Sequence, residues 1–232
     1  MDNQLAANDL KVEVTNRQIL SIALPISIAI FVPQLNLLFN SIFLGHLSNE
    51  ALGNAGITGV YYLIFAVAGH GLNNALQSVF SGHAGAGEPE AFKKVMAQGI
   101  RIAMFLSAFF ILFTWFLSPF ILQSVCSADS YPAEMSFLKI RIFGLPFLYL
   151  FQIGNAFLIS SLNSRLLMIG FVIEALLNIF LDYVLIFGKW GFPQMGFNGA
   201  AWASVIAEVV GCVAVFSVIQ YTGLRKKFRL LE

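Results

Sequence analysis

The chain has 232 residues, of which 58% are hydrophobic and only 11% are charged, and its mean hydropathy is +0.80. Because a soluble domain carries about 25% charged residues, this composition excludes a water-soluble globular protein and predicts an integral membrane protein with several spans. The formal net charge of +1 provides no basic field for nucleic acid. The two cysteines, Cys126 and Cys212, form neither a metal-binding motif nor a disulfide framework.

Six segments are long and apolar enough to cross a bilayer, whose hydrocarbon core of roughly 30 Å needs about 20 helical residues. They are residues 19–44, 60–81, 95–120, 137–159, 166–187 and 199–221. Strands of a membrane barrel alternate apolar and polar residues, whereas these segments are apolar all round. We therefore predict an all-α membrane protein with six transmembrane helices. Pro25, Pro33 and Pro146 fall inside the spans and predict kinks or breaks there.

The distribution of polar residues divides the chain into three regions. Residues 1–18 form a polar N-terminal segment without the features of a cleavable signal peptide, and residues 19–221 form the six-helix lobe. Residues 222–232 form a basic tail. The predicted loops between spans are residues 45–59, 82–94, 124–135, 160–165 and 188–198.

Positive charge predicts the orientation of the spans, because cytoplasmic loops of membrane proteins are enriched in Lys and Arg. With both termini in the cytoplasm, the inner side carries Lys11, Arg17, Lys93, Lys94, Arg101, Arg165, Arg225, Lys226, Lys227 and Arg229. The outer side then carries only Lys139, Arg141 and Lys189. The aromatic side chains that fall near the outer face, as in an interfacial belt, are Tyr61, Tyr62, Trp115, Tyr131 and Trp190. We therefore expect both termini to be cytoplasmic.

Polar side chains recur at helical spacing inside the predicted spans. In the fifth span, Glu174, Asn178 and Asp182 are four residues apart, which places two carboxylates and an amide on one helix face. In the sixth span, Ser204 and Glu208 are also four apart. Because a polar group is costly in lipid, we expect these faces to point to the bundle interior or to a wet cavity.

Four of the polar residues fall at similar depths in the outer half of the membrane. At 1.5 Å per residue, Asp182 and Ser204 lie roughly 8 Å below the outer ends of their spans. Asn40 lies at about the same depth in the first span, and Asn178 lies one turn deeper. Such oxygen ligands suit a proton or a hard monovalent cation. The alternative is hydrogen bonding between helices without any function in transport, which we favour for the amides but not for Asp182.

The remaining polar residues of the spans are candidates for the lining of a substrate cavity. They are Gln34, Asn36, Asn73, Asn74, Gln77, Gln152, Asn155, Glu174 and Glu208. Of the three histidines only His70 lies in a span, so we expect no transition-metal site. The sequence contains no P-loop, GxSxG or HExxH motif, and we therefore do not expect an enzyme.

Four stretches resemble, in their order along the chain, the multidrug and toxic compound extrusion (MATE) family of transporters. They are LPISIAIFVPQLNLLFNSIFLGHLSNEALGNAG (24–56), SGHAGAGEPEAFKKVMAQG (81–99), FLKIRIFGLPF (137–147), and NIFLDYVLIFG (178–188) followed by GFNGAAWAS (196–204). The family fold has twelve helices in two lobes of six around a central cavity. The resemblance covers residues 19–221 and therefore implies the N-terminal six-helix lobe.

The resemblance also implies a function and a set of site residues. Members of the family export cationic and amphipathic compounds by alternating access in exchange for Na+ or H+, without a cofactor, across the cell inner (plasma) membrane. In one branch an Asp in the first span, an Asn and an Asp four apart in the fifth, and a Thr in the sixth form the cation site. Asn178 and Asp182 match the fifth-span pair, and Ser204 matches the Thr. Asn40 stands in place of the first-span Asp and cannot titrate.

Several alternatives remain open from the sequence. The C-terminal lobe is missing either because the chain is a fragment or because two copies form a homodimer that replaces the full transporter. The expected partners are a small-molecule substrate and the lipid bilayer, with no nucleic acid. A related lipid-linked saccharide flippase would share the lobe shape but carry a more cationic cavity. A membrane scaffold that does not transport is the alternative of a different class.

Overall fold

The computed structural model describes residues 15–88 and 90–224, and every regular element within these ranges is a helix. The α-helices are α1 (Asn16–Leu47), α2 (Asn49–Ala86), α3 (Ala91–Phe116), α4 (Ser118–Val125), α5 (Tyr131–Arg141), α6 (Leu145–Ser160), α7 (Ser164–Phe187) and α8 (Phe197–Tyr221). Six stretches are long and apolar enough to cross a membrane, namely α1, α2, α3, α5 with α6, α7 and α8. This confirms the predicted all-α architecture with six spans. The basic residues 225–229 of the predicted tail lie outside the described residues.

The prediction of a loop at residues 45–59 is wrong, because α1 and α2 are separated by Ser48 alone. The Ser48 hydroxyl accepts a hydrogen bond from the Ala51 backbone N–H over 2.9 Å, which satisfies one of the free donors at the start of α2. Glu50 adds a favourable negative charge in the same first turn. The helix therefore begins eleven residues before the predicted span, in a segment whose hydropathy is too low to be recognised as membrane-spanning.

The fourth span is interrupted near its middle, as Pro146 predicted. A single 3-10 turn (Ile142–Gly144) separates α5 from α6, and Pro146 lies in the first turn of α6, where its missing N–H costs no helical hydrogen bond. This span begins at Tyr131, six residues earlier than predicted, because Pro132 likewise starts the helix. The third span ends at Phe116, and the short helix α4 follows it.

The fourth span forms the centre of the bundle. Its most apolar stretch is 67% buried, whereas that of α1 is 13% buried, so α1 lies at the periphery. Near the Ser160 end of α6, the rings of Phe80, Phe92 and Phe157 contact one another with centroid distances of 5.1 to 6.0 Å. These aromatic contacts join α2, α3 and α6 and bury large apolar surfaces.

Among the described residues, helices α7 and α8 share the most extensive contact, and α1 also packs against α7. A Cβ atom at Gly199 would lie 2.7 to 2.9 Å from backbone atoms of Leu185 and Ile186. Only glycine therefore permits this approach between the first turn of α8 and the last turns of α7. The close approach aligns the polar face of α7 with that of α8.

Candidate functional site

The aligned faces bring together Asp182, Asn178 and Ser204, which we predicted to share a site. The side chain of Asp182 is completely buried, and that of Asn178 is 6% exposed. With its amide nitrogen directed at Asp182, Asn178 donates a hydrogen bond to Oδ2 over 3.0 Å. Its amide oxygen then accepts hydrogen bonds from the hydroxyl and the backbone N–H of Ser204, each over 3.2 Å.

The charge of Asp182 has no counterpart within this group. Its Oδ1 atom is buried and forms no hydrogen bond with any residue of the described ranges, and its Oδ2 atom meets only the neutral amide of Asn178. A buried carboxylate requires a proton or a cation because the low-dielectric interior strongly disfavours an isolated charge. The arrangement is therefore suited to bind one positive charge and release it.

Asn40 lies in the same layer of the bundle but is not bonded to the other three residues. It is half-buried on α1, three residues before Phe43, whose ring contacts Tyr183 and Phe187 at centroid distances of 6.1 and 6.2 Å. Since Tyr183 follows Asp182, these contacts place the Asn40 turn of α1 beside the Asp182 turn of α7. Within the part of the chain that the structure describes, no hydrogen bond joins Asn40 to Asp182, Asn178 or Ser204.

The predicted cavity residues fall into two groups. On α6, Gln152 and Asn155 are buried, and Gln152 bonds to Nδ1 of His70 on α2 over 3.0 Å. The Asn155 amide donates to Gln152 over 3.5 Å, a weak bond that extends this polar row along the α2–α6 contact. The residues that are exposed or half-buried on α1 and α2 are Gln34, Asn36, Asn73, Asn74 and Gln77. His70, which we did not select, bonds to the α6 group from α2, the helix that also carries Asn73, Asn74 and Gln77.

The structure also reveals an ion pair that the sequence analysis missed. Nη1 of Arg141 donates to Oε2 of Glu208 over 2.8 Å, and Nη2 donates to Oε1, so the pair is bidentate. The guanidinium carbon of Arg141 lies 4.1 Å from the ring centroid of Tyr62, which is within the range of a cation–π interaction. We expected Glu208 in the cavity lining, but its side chain is buried and both its oxygens are bound.

This ion pair also corrects the assignment of two outer-face residues. Arg141 was counted among the charges of the outer side, yet it is the last residue of α5, within the fourth span, and is bound by Glu208. Tyr62 was assigned to an interfacial belt, yet it is 8% exposed and lies beneath Arg141. The sequence contained one signal for this pair, because Arg141 already fell within the predicted span 137–159. A cation at that depth requires an acidic partner.

Glu174 lies beside the ion pair but is not part of it. Its carboxylate packs against Gly211 of α8, where an added Cβ atom would come within 3.2 Å of Oε2. Gly211 is three residues from Glu208, so both lie on the same face of α8. Glu174 interacts electrostatically with both Glu208 and Arg141. Within residues 15–88 and 90–224, no three His, Cys, Asp or Glu side chains are grouped closely enough to hold a metal ion.

Comparison with known proteins decides the family. A model of the MatE family matches residues 19–184. The chain belongs to the MATE family. It is 30% identical over 212 residues to the "Probable multidrug resistance protein NorM" of Listeria monocytogenes serovar 1/2a, a match that covers 90% of this chain and 46% of the relative. The predicted resemblance is thus confirmed.

Solved structures show the same fold. An outward-facing multidrug resistance MATE family transporter of the MOP superfamily superimposes with a TM-score of 0.77 at 19% identity, covering 97% of this chain and 47% of that one. A MOP superfamily transporter from Pyrococcus furiosus, described as having a binding pocket of reverse polarity, superimposes with a TM-score of 0.76 at 18% identity. It covers 95% of this chain and 47% of its own.

The chain spans about half the length of the relatives and structures it matches. The matched half corresponds to one six-helix lobe, as predicted. Because the family consists of membrane transporters, the chain is a multi-pass membrane protein and not an enzyme.

Proposed function

We propose that this chain is one lobe of a secondary active efflux antiporter in the cell inner (plasma) membrane. It exports cationic or amphipathic compounds in exchange for Na+ or H+ by alternating access. Asp182 is the coupling residue, Asn178 and Ser204 complete its ligand set, and Asn40 approaches from α1. The observation that carries this proposal is the buried carboxylate of Asp182, which has one oxygen without a partner among the described residues and whose other oxygen bonds to the neutral amide of Asn178.

The coupling follows from differential binding. A proton or sodium ion on Asp182 removes the cost of the buried charge and so favours the conformation in which the α7–α8 contact is closed, as seen here. Loss of the ion leaves an uncompensated carboxylate, which favours a conformation in which Asp182 is hydrated. Substrate that binds the second conformation better is then exchanged for the ion, since the two ligands oppose each other through one equilibrium.

The substrate cavity in this proposal is lined by the exposed and half-buried polar residues of α1 and α2 together with the polar row on α6. They are Gln34, Asn36, Asn73, Asn74, Gln77, Gln152 and Asn155, with Glu174 at mid-membrane depth. These groups are neutral or acidic, which suits a cationic guest. Arg141 is already bound by Glu208, so the cavity does not have the cationic character expected of a lipid-linked saccharide flippase.

The remaining half of the transporter is supplied either by a C-terminal lobe or by a second copy of this chain. The two lobes of the family fold share one orientation in the membrane, so two identical copies can form a similar cavity. Native mass spectrometry of the chain in mild detergent distinguishes these arrangements. A dimer supports the homodimer, whereas a monomer at all concentrations supports a separate C-terminal lobe.

The decisive experiment is efflux from proteoliposomes under separate sodium and proton gradients, with and without the second lobe supplied. Asp182→Asn is expected to abolish ion-driven efflux, because an amide cannot bind a proton or compensate a cation's charge. The matched control is Asp129→Asn, the same substitution at an exposed residue of the α4–α5 connection. Unchanged ion-driven efflux in Asp182→Asn would refute the proposed coupling residue. A change in stability alone, without transport in any preparation, would favour the membrane scaffold.

A further inference from the structure

A second acidic centre lies deeper between α7 and α8 than the Asp182 site. We propose, on the basis of the function proposed above, that Glu174 is a further proton-exchanging group of this lobe, held beside the Arg141–Glu208 pair and closed to metal cations. The lobe then has two sites that each bind and release a positive charge, and the two sites accept different ions. Asp182 accepts a proton or a sodium ion, whereas Glu174 accepts only a proton.

Within the cluster, Arg141 is paired with Glu208 and not with Glu174. Both oxygens of Glu208 are bound by the guanidinium of Arg141, so this pair is neutral as a unit. Glu174 is a second carboxylate near Arg141, whose guanidinium is already paired with Glu208. Among the residues that the structure describes, none forms a hydrogen bond or ion pair with Glu174, although its Oε2 atom lies against Gly211, one turn from Glu208.

Charged and titratable groups lie within electrostatic range of Glu174 on several surrounding helices. On α8 they are Glu208 and the thiol of Cys212, and on α5 the group is Arg141. On α2 it is Tyr62, whose hydroxyl is buried and has no hydrogen-bond partner among the described residues. On α6, Tyr149 is engaged, since its hydroxyl donates to the Phe65 carbonyl over 2.7 Å. Helix α1 carries no titratable side chain between Arg17 and His46.

The contacts around Glu174 suit a proton and not a metal cation. A hard cation such as sodium binds several oxygen ligands, and both oxygens of the neighbouring Glu208 are already bound by the guanidinium of Arg141. A proton needs only one carboxylate oxygen, on which it forms a covalent O–H bond and leaves a neutral acid. Beside Asp182, the amide of Asn178 and the hydroxyl of Ser204 that is bonded to this amide add neutral oxygens, so both ions are compatible with that site.

The free hydroxyl of Tyr62 supplies a polar group next to the acid. A phenol both donates and accepts hydrogen bonds, so it can hold a water molecule beside Glu174 when the lobe opens. In the loading step a hydronium ion transfers its proton to a carboxylate oxygen of Glu174, which leaves a neutral acid and one water molecule. Release is the reverse of this step on the other side of the membrane.

Infrared difference spectroscopy of the chain in lipid nanodiscs tests this proposal, because protonated carboxyl groups have a C=O stretching band that carboxylates lack. Spectra are recorded between high and low pH, in the absence and presence of saturating sodium chloride, with choline chloride as the ionic-strength control. We expect a carboxyl band that is unaffected by sodium and is lost in Glu174→Gln. Asp182→Asn is expected to leave that band in place and to remove a different one.

A second variant keeps the test informative if Glu174→Gln does not fold. In Glu208→Gln the guanidinium of Arg141 is freed, and we expect it to hold Glu174 as a carboxylate, so that the sodium-insensitive band is lost although Glu174 is present. Glu50→Gln, which changes an exposed carboxylate at the start of α2, is the matched control and should leave the band unchanged.

The outcomes separate this proposal from the coupling site itself. Persistence of the sodium-insensitive band in Glu174→Gln, or its displacement by sodium in the wild-type protein, would overturn the second proton site. Unchanged ion-driven efflux in Asp182→Asn would overturn the coupling site but leave the Glu174 band and its test intact.

Discussion

The two buried carboxylates between α7 and α8, Asp182 in the upper centre and Glu208 in the lower centre, differ in how their negative charge is compensated. In the upper centre, Asp182 meets a neutral amide and has an oxygen without a partner. One to two turns deeper, Glu208 is bound at both oxygens by Arg141, a cation that belongs to the chain itself. A built-in counter-ion fixes a contact permanently, whereas a missing counter-ion must be supplied from solution. The difference separates the structural contact of Arg141 with Glu208 from Asp182, the proposed site of ion exchange.

Removal of the built-in cation is expected to have the largest effect on stability. Arg141→Met leaves the Glu208 carboxylate buried without its partner, and breaking such a pair costs about 3 to 5 kcal/mol. We expect a loss of about 3 kcal/mol in the free energy of unfolding, measured by denaturation in mixed detergent micelles. The Asp182 site should still bind its ion in the folded fraction, because Arg141 is not one of its ligands.

The double variant Arg141→Met/Glu208→Leu shows whether the loss comes from the unpaired charge. Replacing both partners by apolar groups removes the charge, and such replacements are often neutral or stabilising. The double variant is therefore expected to recover most of the stability that Arg141→Met loses. A double variant that is less stable than the single one would contradict the interpretation of this pair as a charge-compensated contact.

A substitution at Gly144 takes up space that the Arg141–Glu208 pair occupies but removes neither charge. A Cβ atom there would collide with Oε2 of Glu208 and approach Nη1 of Arg141 to 2.8 Å. Overpacking in a dense interior costs about 1 to 3 kcal/mol, so we expect Gly144→Ala to lower the free energy of unfolding by about 2 kcal/mol. The measurement is the same denaturation in mixed micelles.

Gly71 of α2 offers a matched control for this change. Apart from its chain neighbours and the backbone of its own helix, no atom of the described residues lies within 4 Å of a Cβ built on Gly71, and its backbone is helical. Gly71→Ala should leave stability unchanged or raise it by about 0.5 to 1 kcal/mol, because alanine favours the helix. Equal effects of the two substitutions would show that the Arg141–Glu208 contact does not require the space at Gly144.

The sequence predicted the upper centre better than the lower one for a physical reason. Asp182 and Asn178 lie on one helix, so their spacing of four residues is enough to place them on a common face. Ser204 follows after a short connection, and the Gly199 contact fixes its register. Arg141 and Glu208 are 67 residues apart on helices that are not neighbours in sequence, and no periodicity relates them.

The spans themselves were predictable because apolar length is a property of each segment alone. The boundary between α1 and α2 was not, because it depends on the hydrogen bond of Ser48 to the Ala51 backbone and not on hydropathy. The break in the fourth span was foreseen from Pro146, yet its consequence was not. It places the last residue of α5, Arg141, inside the bundle, where Glu208 binds it, although the sequence analysis counted it among the charges of the outer side.

The smallest predicted effect tests the upper centre through a single hydroxyl. Ser204→Ala removes one oxygen ligand and the hydroxyl hydrogen bond to Asn178 but leaves the carboxylate of Asp182 in place. A hydrogen bond of this kind contributes about 1 kcal/mol, so we expect the half-saturating concentration of the coupling ion to rise about fivefold. Ion binding is measured as protection against thermal unfolding in nanodiscs.

Ser107→Ala is the matched control, because the Ser107 hydroxyl is also buried in a spanning helix but, among the described residues, bonds only to the Ala103 carbonyl of its own helix. If Ser107→Ala weakens ion binding as much as Ser204→Ala does, the loss reflects a general loosening of the bundle and Ser204 is not a ligand.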